Sequence, residues 1–131
     1  MKWDTKSPCG SCPYRKDAPL GLWHPAEFDN LLKQDGNEMQ GAAFGCHATI
    51  KAENPSVCAG WLLDQKKRGI PSIQLRLHLM QNSEALQCLE EVNSGGHELY
   101  DSIREMVEAN EELGRCDCGR YLQKDGTCPC A

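Results

Sequence analysis

The chain has 131 residues and a mass of 14.6 kDa, which leaves room for one ordinary domain, or a small domain with a metal-stapled appendage, and not for two full cores. With 40% apolar and 25% charged residues and a mean hydropathy of −0.58 the composition is that of a globular protein, and no run approaches the ~18 uncharged apolar residues of a membrane span. The net charge of −5 is unevenly laid out: ten bases face eight acids in residues 1–80, and four face eleven after them.

The segment up to about Trp23 is rich in Pro, Gly and Cys and has no periodicity, so it reads as loop held from outside, with a metal as the obvious holder. His24-Pro25 then opens a short helix, since proline suits the first helical position, with Phe28, Leu31 and Leu32 on one face and Asp35-Gly36 ending it. Residues 36–55 read as loop. Ser56 is expected to cap a helix that runs to about Arg68, buries Val57, Trp61 and Leu62, carries Cys58 in its first turn and stops at Gly69 before Pro71. Ile73, Leu75, Leu77 and Leu79 alternate with Gln74, Arg76 and His78, which predicts a strand, although Ile73, Leu77 and Met80 also fit a helical face. Ser83 starts a helix with Ala85, Cys88, Leu89 and Val92 at helical spacing. After the Asn93-Ser94-Gly95-Gly96 break another carries Leu99, Ile103, Met106, Val107 and Leu113, and the two are predicted to pack as a hairpin. The predicted fold is α+β, mainly helical: a metal-stabilised module over 1–80, an acidic helical hairpin over 81–114 and a zinc-ribbon-like tail over 115–131.

Nine acids (Glu84, Glu90, Glu91, Glu98, Asp101, Glu105, Glu108, Glu111, Glu112) face the single base Arg104 in the hairpin. This predicts either a solvated helix face or a surface for a basic partner, and a poor nucleic-acid binder in that half.

Nine cysteines dominate the chemistry. The opening residues carry a charge at Asp4 and no apolar run, which predicts no signal peptide and a cytoplasmic setting where thiols stay reduced. Cys9-Gly-Ser-Cys12 has the spacing that lets two thiolates of one tight turn face a single metal. Cys46 and Cys58 complete a set of four, enough for a tetrahedral Zn2+ or a [4Fe–4S] cluster. Ordinary buried thiols, or a redox disulfide between Cys9 and Cys12, are the competing readings. His47 stands beside Cys46, but neighbours in an extended chain point apart, so Cys46 is preferred as ligand. His47 is then a hydrogen-bond donor to the ligated sulfur or a residue touching a partner, with a satisfied structural histidine as the plainest description.

The run Pro8-Cys9-Gly-Ser-Cys12-Pro13-Tyr14-Arg15-Lys16-Asp17-Ala18-Pro19, then Trp23-His24-Pro25 and Phe28, then Phe44-Gly-Cys46-His47 and Cys58-Ala59-Gly60-Trp61-Leu62-Leu63, resembles a family of small bacterial and phage proteins, DUF6283, over roughly residues 7–80. The resemblance implies that the four cysteines and the histidine belong to one module. It implies no activity, because none is established for the family.

Cys116-Asp-Cys118-Gly119 and Cys128-Pro-Cys130 form two close pairs with the Asp125-Gly126 turn between them, the pattern of a miniature zinc knuckle. A disulfide pair and a disordered tail are the alternatives. The tail has almost no apolar content beyond Tyr121 and Leu122, so it is expected to need its metal to stay folded. Cys88 lies on an apolar helix face and reads as core.

Four thiolates close a metal's coordination sphere, whereas hydrolytic zinc keeps a position open for water. No H-E-x-x-H, phosphate-binding loop or dinucleotide fingerprint occurs, so an enzyme is disfavoured and no catalytic residue is assigned. The first expectation is a zinc-stabilised regulatory module with two Zn2+ sites that binds another protein through Tyr14, Arg15, Lys16, Trp23, Lys66, Lys67 and Arg68. The alternatives are a nucleic-acid-binding regulator, in which Arg15, Lys16, Lys66, Lys67, Arg68 and Arg76 contact phosphates against an overall pI of about 5.3, and an iron–sulfur redox sensor at the first site.

Overall fold

The computed structural model describes residues 1–34, 45, 46, 49, 51–68 and 72–128. Asp35, Gly36, Phe44, His47, Gly69, Pro71 and Cys130, each singled out in the sequence, lie outside the described residues.

Among the described residues five helices carry the fold, and extended pairing is confined to isolated bridges. Helix α1 (Pro25–Gln34) begins as expected on a proline whose missing N–H costs nothing there. His24 acts as its cap, Nδ1 accepting from the Ala26 N–H at 3.0 Å, and Phe28 and Leu31 are wholly buried.

Helix α2 (Ala59–Arg68) starts two residues later than a Ser56 cap would place it. The reason is local: Ser56 pairs with Lys2 and Val57 with Gly45, so the backbone is held extended up to Cys58. The Cys58 carbonyl accepts the first helical bond, from the Leu62 N–H at 3.1 Å. Lys66, Lys67 and Arg68 occupy the last turn, where cations suit the helix dipole.

The predicted strand over Ile73–Leu79 is a helix, α3 (Ile73–Gln81). Its first turn is capped by the Ser72 hydroxyl, which accepts from the Leu75 N–H, while the Ser72 N–H donates to Gln65 of α2 at 2.8 Å, and its last turn is closed by the Asn82 backbone N–H on the His78 carbonyl at 2.9 Å. An alternating sequence wrapped on a 3.6-residue period spreads its apolar residues around the axis. Accordingly Leu75 is fully buried while Leu77 and Met80 are 44% and 82% exposed.

Asn82 ends α3 and caps α4 (Ser83–Glu91), its side chain accepting from the Glu84 N–H at 2.9 Å. Ser102 caps α5 (Ile103–Glu111) in the same way. The expected hairpin of α4 and α5 does not form among the described residues: α4 packs on α2 and α3, and α5 packs on α1. The connection between them instead lies along the amino-terminal segment. Asn93 donates its N–H to the Lys6 carbonyl, Lys16 to Glu98, and Tyr100 to Tyr14, all within 3.0 Å.

Residues from all three expected segments share one apolar core. It runs from Trp3, Tyr14, Trp23 and Phe28 through Trp61, Leu62 and Leu75 to Ala85, Val92, Ile103, Met106 and Tyr121. No helix among the described residues is long and apolar enough to cross a membrane.

Candidate metal centres

Cys9 and Cys12 lie in one tight turn closed by the Cys12 N–H on the Cys9 carbonyl at 3.0 Å. Cys46 is carried in by the short pairing that joins its N–H to the Ser56 carbonyl at 2.7 Å, and Cys58 stands at the head of α2. Three stretches far apart in sequence thus deliver four sulfurs as two pairs. The Cys46 thiol donates to Cys9 Sγ at 3.8 Å, and Cys12 is hydrogen-bonded to Cys58. Cys9 also touches the Ser11 hydroxyl at 3.5 Å and is partly exposed, while Cys12, Cys46 and Cys58 are buried.

The environment favours a thiolate at Cys12. The Cys58 thiol hydrogen bond lowers its pKa most, burial opposes that, and the backbone N–H groups of Tyr14 and Gly60 and the charge of Arg15 lower it further. Cys58 is pushed up in return, by the same hydrogen bond and then by burial.

Gly60, which the cysteine pattern alone does not single out, is part of this geometry. A Cβ there would sit 2.8 Å from Cys12 Sγ and 2.7 Å from two carbons of Tyr14. Its sequence signals are its place two residues after Cys58, in the first turn of α2, and its membership of the Cys58-Ala59-Gly60-Trp61 motif.

The second centre lies on a hairpin after α5. Cys116 donates its N–H to Arg120 at 2.7 Å, Arg115 bridges to Tyr121, and the Asp125-Gly126 turn is closed by Asp125 accepting from the Thr127 N–H and hydroxyl. The Cys116, Cys118 and Cys128 sulfurs all lie within 4.8 Å of one another and could hold a metal ion. Cys116 and Cys128 are joined as a disulfide, with Cys118 Sγ 3.2 Å from Cys128 Sγ.

Beside its sulfurs, this hairpin is anchored by an apolar residue. Tyr121 is buried with its ring 5.8 Å from that of Phe28, and its hydroxyl donates to Glu111 at 3.1 Å. Arg115 adds ion pairs to Glu111 and Asp29.

Cys88 is core, as expected, its thiol donating to the Thr5 carbonyl at 3.2 Å and its pKa raised mainly by burial. The residues proposed to meet a partner fall into two groups. Tyr14 and Trp23 are buried in the core. The cations are engaged within the chain: Arg15 grips Asp17 through two bonds of 2.7 Å, Lys16 meets Glu98 and Glu105, Lys66 donates to the carbonyls of Leu89 and Glu90, Lys67 to that of Asp101, and Arg68 pairs with Asp64. Part of the basic surface facing the acidic segment is therefore supplied by the chain itself.

The model of a family of unknown function, DUF6283, matches residues 4–117. The chain belongs to DUF6283. The match takes in Cys9, Cys12, Cys46 and Cys58, and it runs past the span of roughly 7–80 over which the resemblance is legible, through α5 to the first cysteine of the tail. Cys118 and Cys128 of this DUF6283 member lie beyond it. No curated protein and no solved structure matches the chain.

Proposed function

We propose that this DUF6283 member is a small metal-stabilised interaction protein, in which Cys9, Cys12, Cys46 and Cys58 hold one Zn2+ and the tail cysteines a second, and whose partner is another protein. The observation that carries the reading is the approach of Cys9 to Cys46 and of Cys12 to Cys58, two thiol pairs drawn from three separate stretches of chain and not yet closed into one group of four. Four cysteine ligands would leave no position for a substrate or a hydrolytic water, so the metal's work would be to fix the fold.

A protein partner is supported by what the surface offers. Leu22, Leu77, Met80 and Leu86 are large apolar side chains left exposed, three of them on the neighbouring helices α3 and α4. Nucleic-acid binding has less support, because phosphate contacts by Lys16, Lys67, Arg15 or Arg68 would have to displace carboxylates already paired with them. A [4Fe–4S] cluster is the second reading of the first site. It is favoured by the N–H groups of Tyr14 and Gly60 on the Cys12 sulfur, since such bonds also set the potential of a cluster.

Elemental analysis with a visible spectrum on anaerobically purified protein tests the reading. Zinc without colour is expected, and Cys9→Ser and Cys46→Ser should each lose one metal equivalent and lower the melting temperature. Iron with sulfide and visible absorbance would move the first site to the cluster reading. Full metal content and an unchanged melting temperature in both variants would remove the metal assignment there.

A further inference from the structure

The tail holds its sulfurs in an arrangement compatible with two chemical states. Cys116, Cys118 and Cys128 lie close enough to share one cation, yet Cys116 and Cys128 are also close enough to be covalently joined. Cys118 is exposed and stands 3.2 Å from Cys128 Sγ, within reach of thiol–disulfide exchange. The hairpin beneath them also has anchors of another kind. Its backbone bonds, from Leu122 to Gly114 and from Gln123 to Thr127, and its buried Tyr121 anchor involve no sulfur.

We infer that this hairpin is a redox-gated zinc site: the reduced thiolates of Cys116, Cys118 and Cys128 hold one Zn2+, and two-electron oxidation by a low-molecular-weight disulfide joins Cys116 to Cys128 and expels it. The inference rests on the metal reading above, applied to the second site.

The chemistry balances as three exchanges. The exposed Cys118 thiolate attacks one sulfur of glutathione disulfide, forming a mixed disulfide and releasing one glutathione thiolate. Cys128 attacks Cys118 Sγ and releases the second. Cys116 then attacks Cys128 Sγ, which returns Cys118 to a thiolate and leaves the bond seen in the structure. Two electrons have moved from Cys116 and Cys128 to the external disulfide, one S–S bond has been lost outside and one gained inside. Zn2+ keeps a single sulfur ligand of the three and leaves, because affinity at such a site depends on the full set of deprotonated ligands. The buried anchor lets this happen without unfolding the core, so the result is a local switch.

The full chain, reduced and loaded with zinc, is mixed with glutathione disulfide. Zinc release to a chromogenic chelator, thiol count, peptide mapping and circular dichroism are then followed. The expected result is release of one zinc per chain with loss of two thiols, a mapped Cys116–Cys128 link, unchanged helicity, and full reversal by reductant plus zinc. Cys128→Ser should bind one zinc fewer in the reduced state while keeping the wild-type helical signal. Cys118→Ser should give up the tail zinc to a weaker competing chelator than the wild type needs. Equal zinc content in wild type and Cys128→Ser would overturn the tail site while leaving the first site standing. So would zinc retained on chains that carry the Cys116–Cys128 link, or zinc release traced to disulfides among Cys9, Cys12, Cys46 and Cys58. Absence of zinc from every form would overturn both sites together.

Discussion

Gly60 sits where the first turn of α2 closes over the Cys12 sulfur, and two opposing effects meet there. In an open helix, glycine to alanine adds about 0.5–1 kcal/mol of stability by restricting the unfolded chain. At this position the added methyl would stand 2.8 Å from Cys12 Sγ and 2.7 Å from the Tyr14 side chain, both buried, with no flexible tip to swing aside. Overpacking of that kind costs about 1–3 kcal/mol, so sterics should outweigh propensity. Gly60→Ala is expected to be destabilised in urea unfolding and to weaken metal retention at the first site. A gain in stability would mean that the turn does not pack against the sulfur. The same N–H that makes Gly60 useful to Cys12 makes a side chain there costly, so the residue supports the site without supplying a ligand.

Among the elements, α3 separates what a pattern can tell from what packing decides. As a strand, Leu75 and Leu77 would share one face; as a helix they are 200° apart, on the ~100° per residue of an α-helix, and only Leu75 is buried. Leu75→Ala is therefore expected to cost about 2–5 kcal/mol. Leu77→Ala should stay within about 0.5 kcal/mol, as an exposed site does. Equal costs at the two positions in denaturant melts would favour the strand. The other helices were legible because their signals were independent of partners: Pro25 at a first position of α1, and apolar residues three and four apart on α4 and α5. The alternation of residues 73–79 misled because the deciding features lie outside it, in the Ser72–Gln65 bond and the cap that Asn82 shares with α4. The failed hairpin has a similar cause. Periodicity says that Ala85 and Cys88 of α4 and Ile103 and Met106 of α5 are buried, but not that the first pair meets α2, α3 and the Thr5 carbonyl and the second meets α1. The cysteines could be listed from the sequence, whereas their pairing and the role of Gly60 required the fold.

At the scale of the whole molecule the two unevenly charged halves complement each other. Lys16 reaches Glu98 and Glu105, and Lys67 reaches Asp101, across gaps in sequence that hide the pairing. Each exposed pair contributes only about 0–1 kcal/mol, so charge sets the register of the halves rather than holding them. What holds them is the backbone pairing of residues 14–16 with 98–100, together with a core to which Tyr14 and Trp61 contribute beside Val92, Ile103 and Met106. Tyr14 belongs to both structures at once, lying against Gly60 at the first sulfur site and pairing its carbonyl with Tyr100 at the entry to α5. Loss of the metal proposed for the first site should therefore not be confined to the cysteine-rich segment. A chelator that strips the first site is expected to remove amide protection from α2 and from α5 in one step, read by hydrogen exchange, because the folding energy of a structural metal is shared by everything that packs on its site. If α5 kept its protection while α2 lost it, the amino-terminal module would be an independent unit, and the shared core would contribute little to the stability of either half.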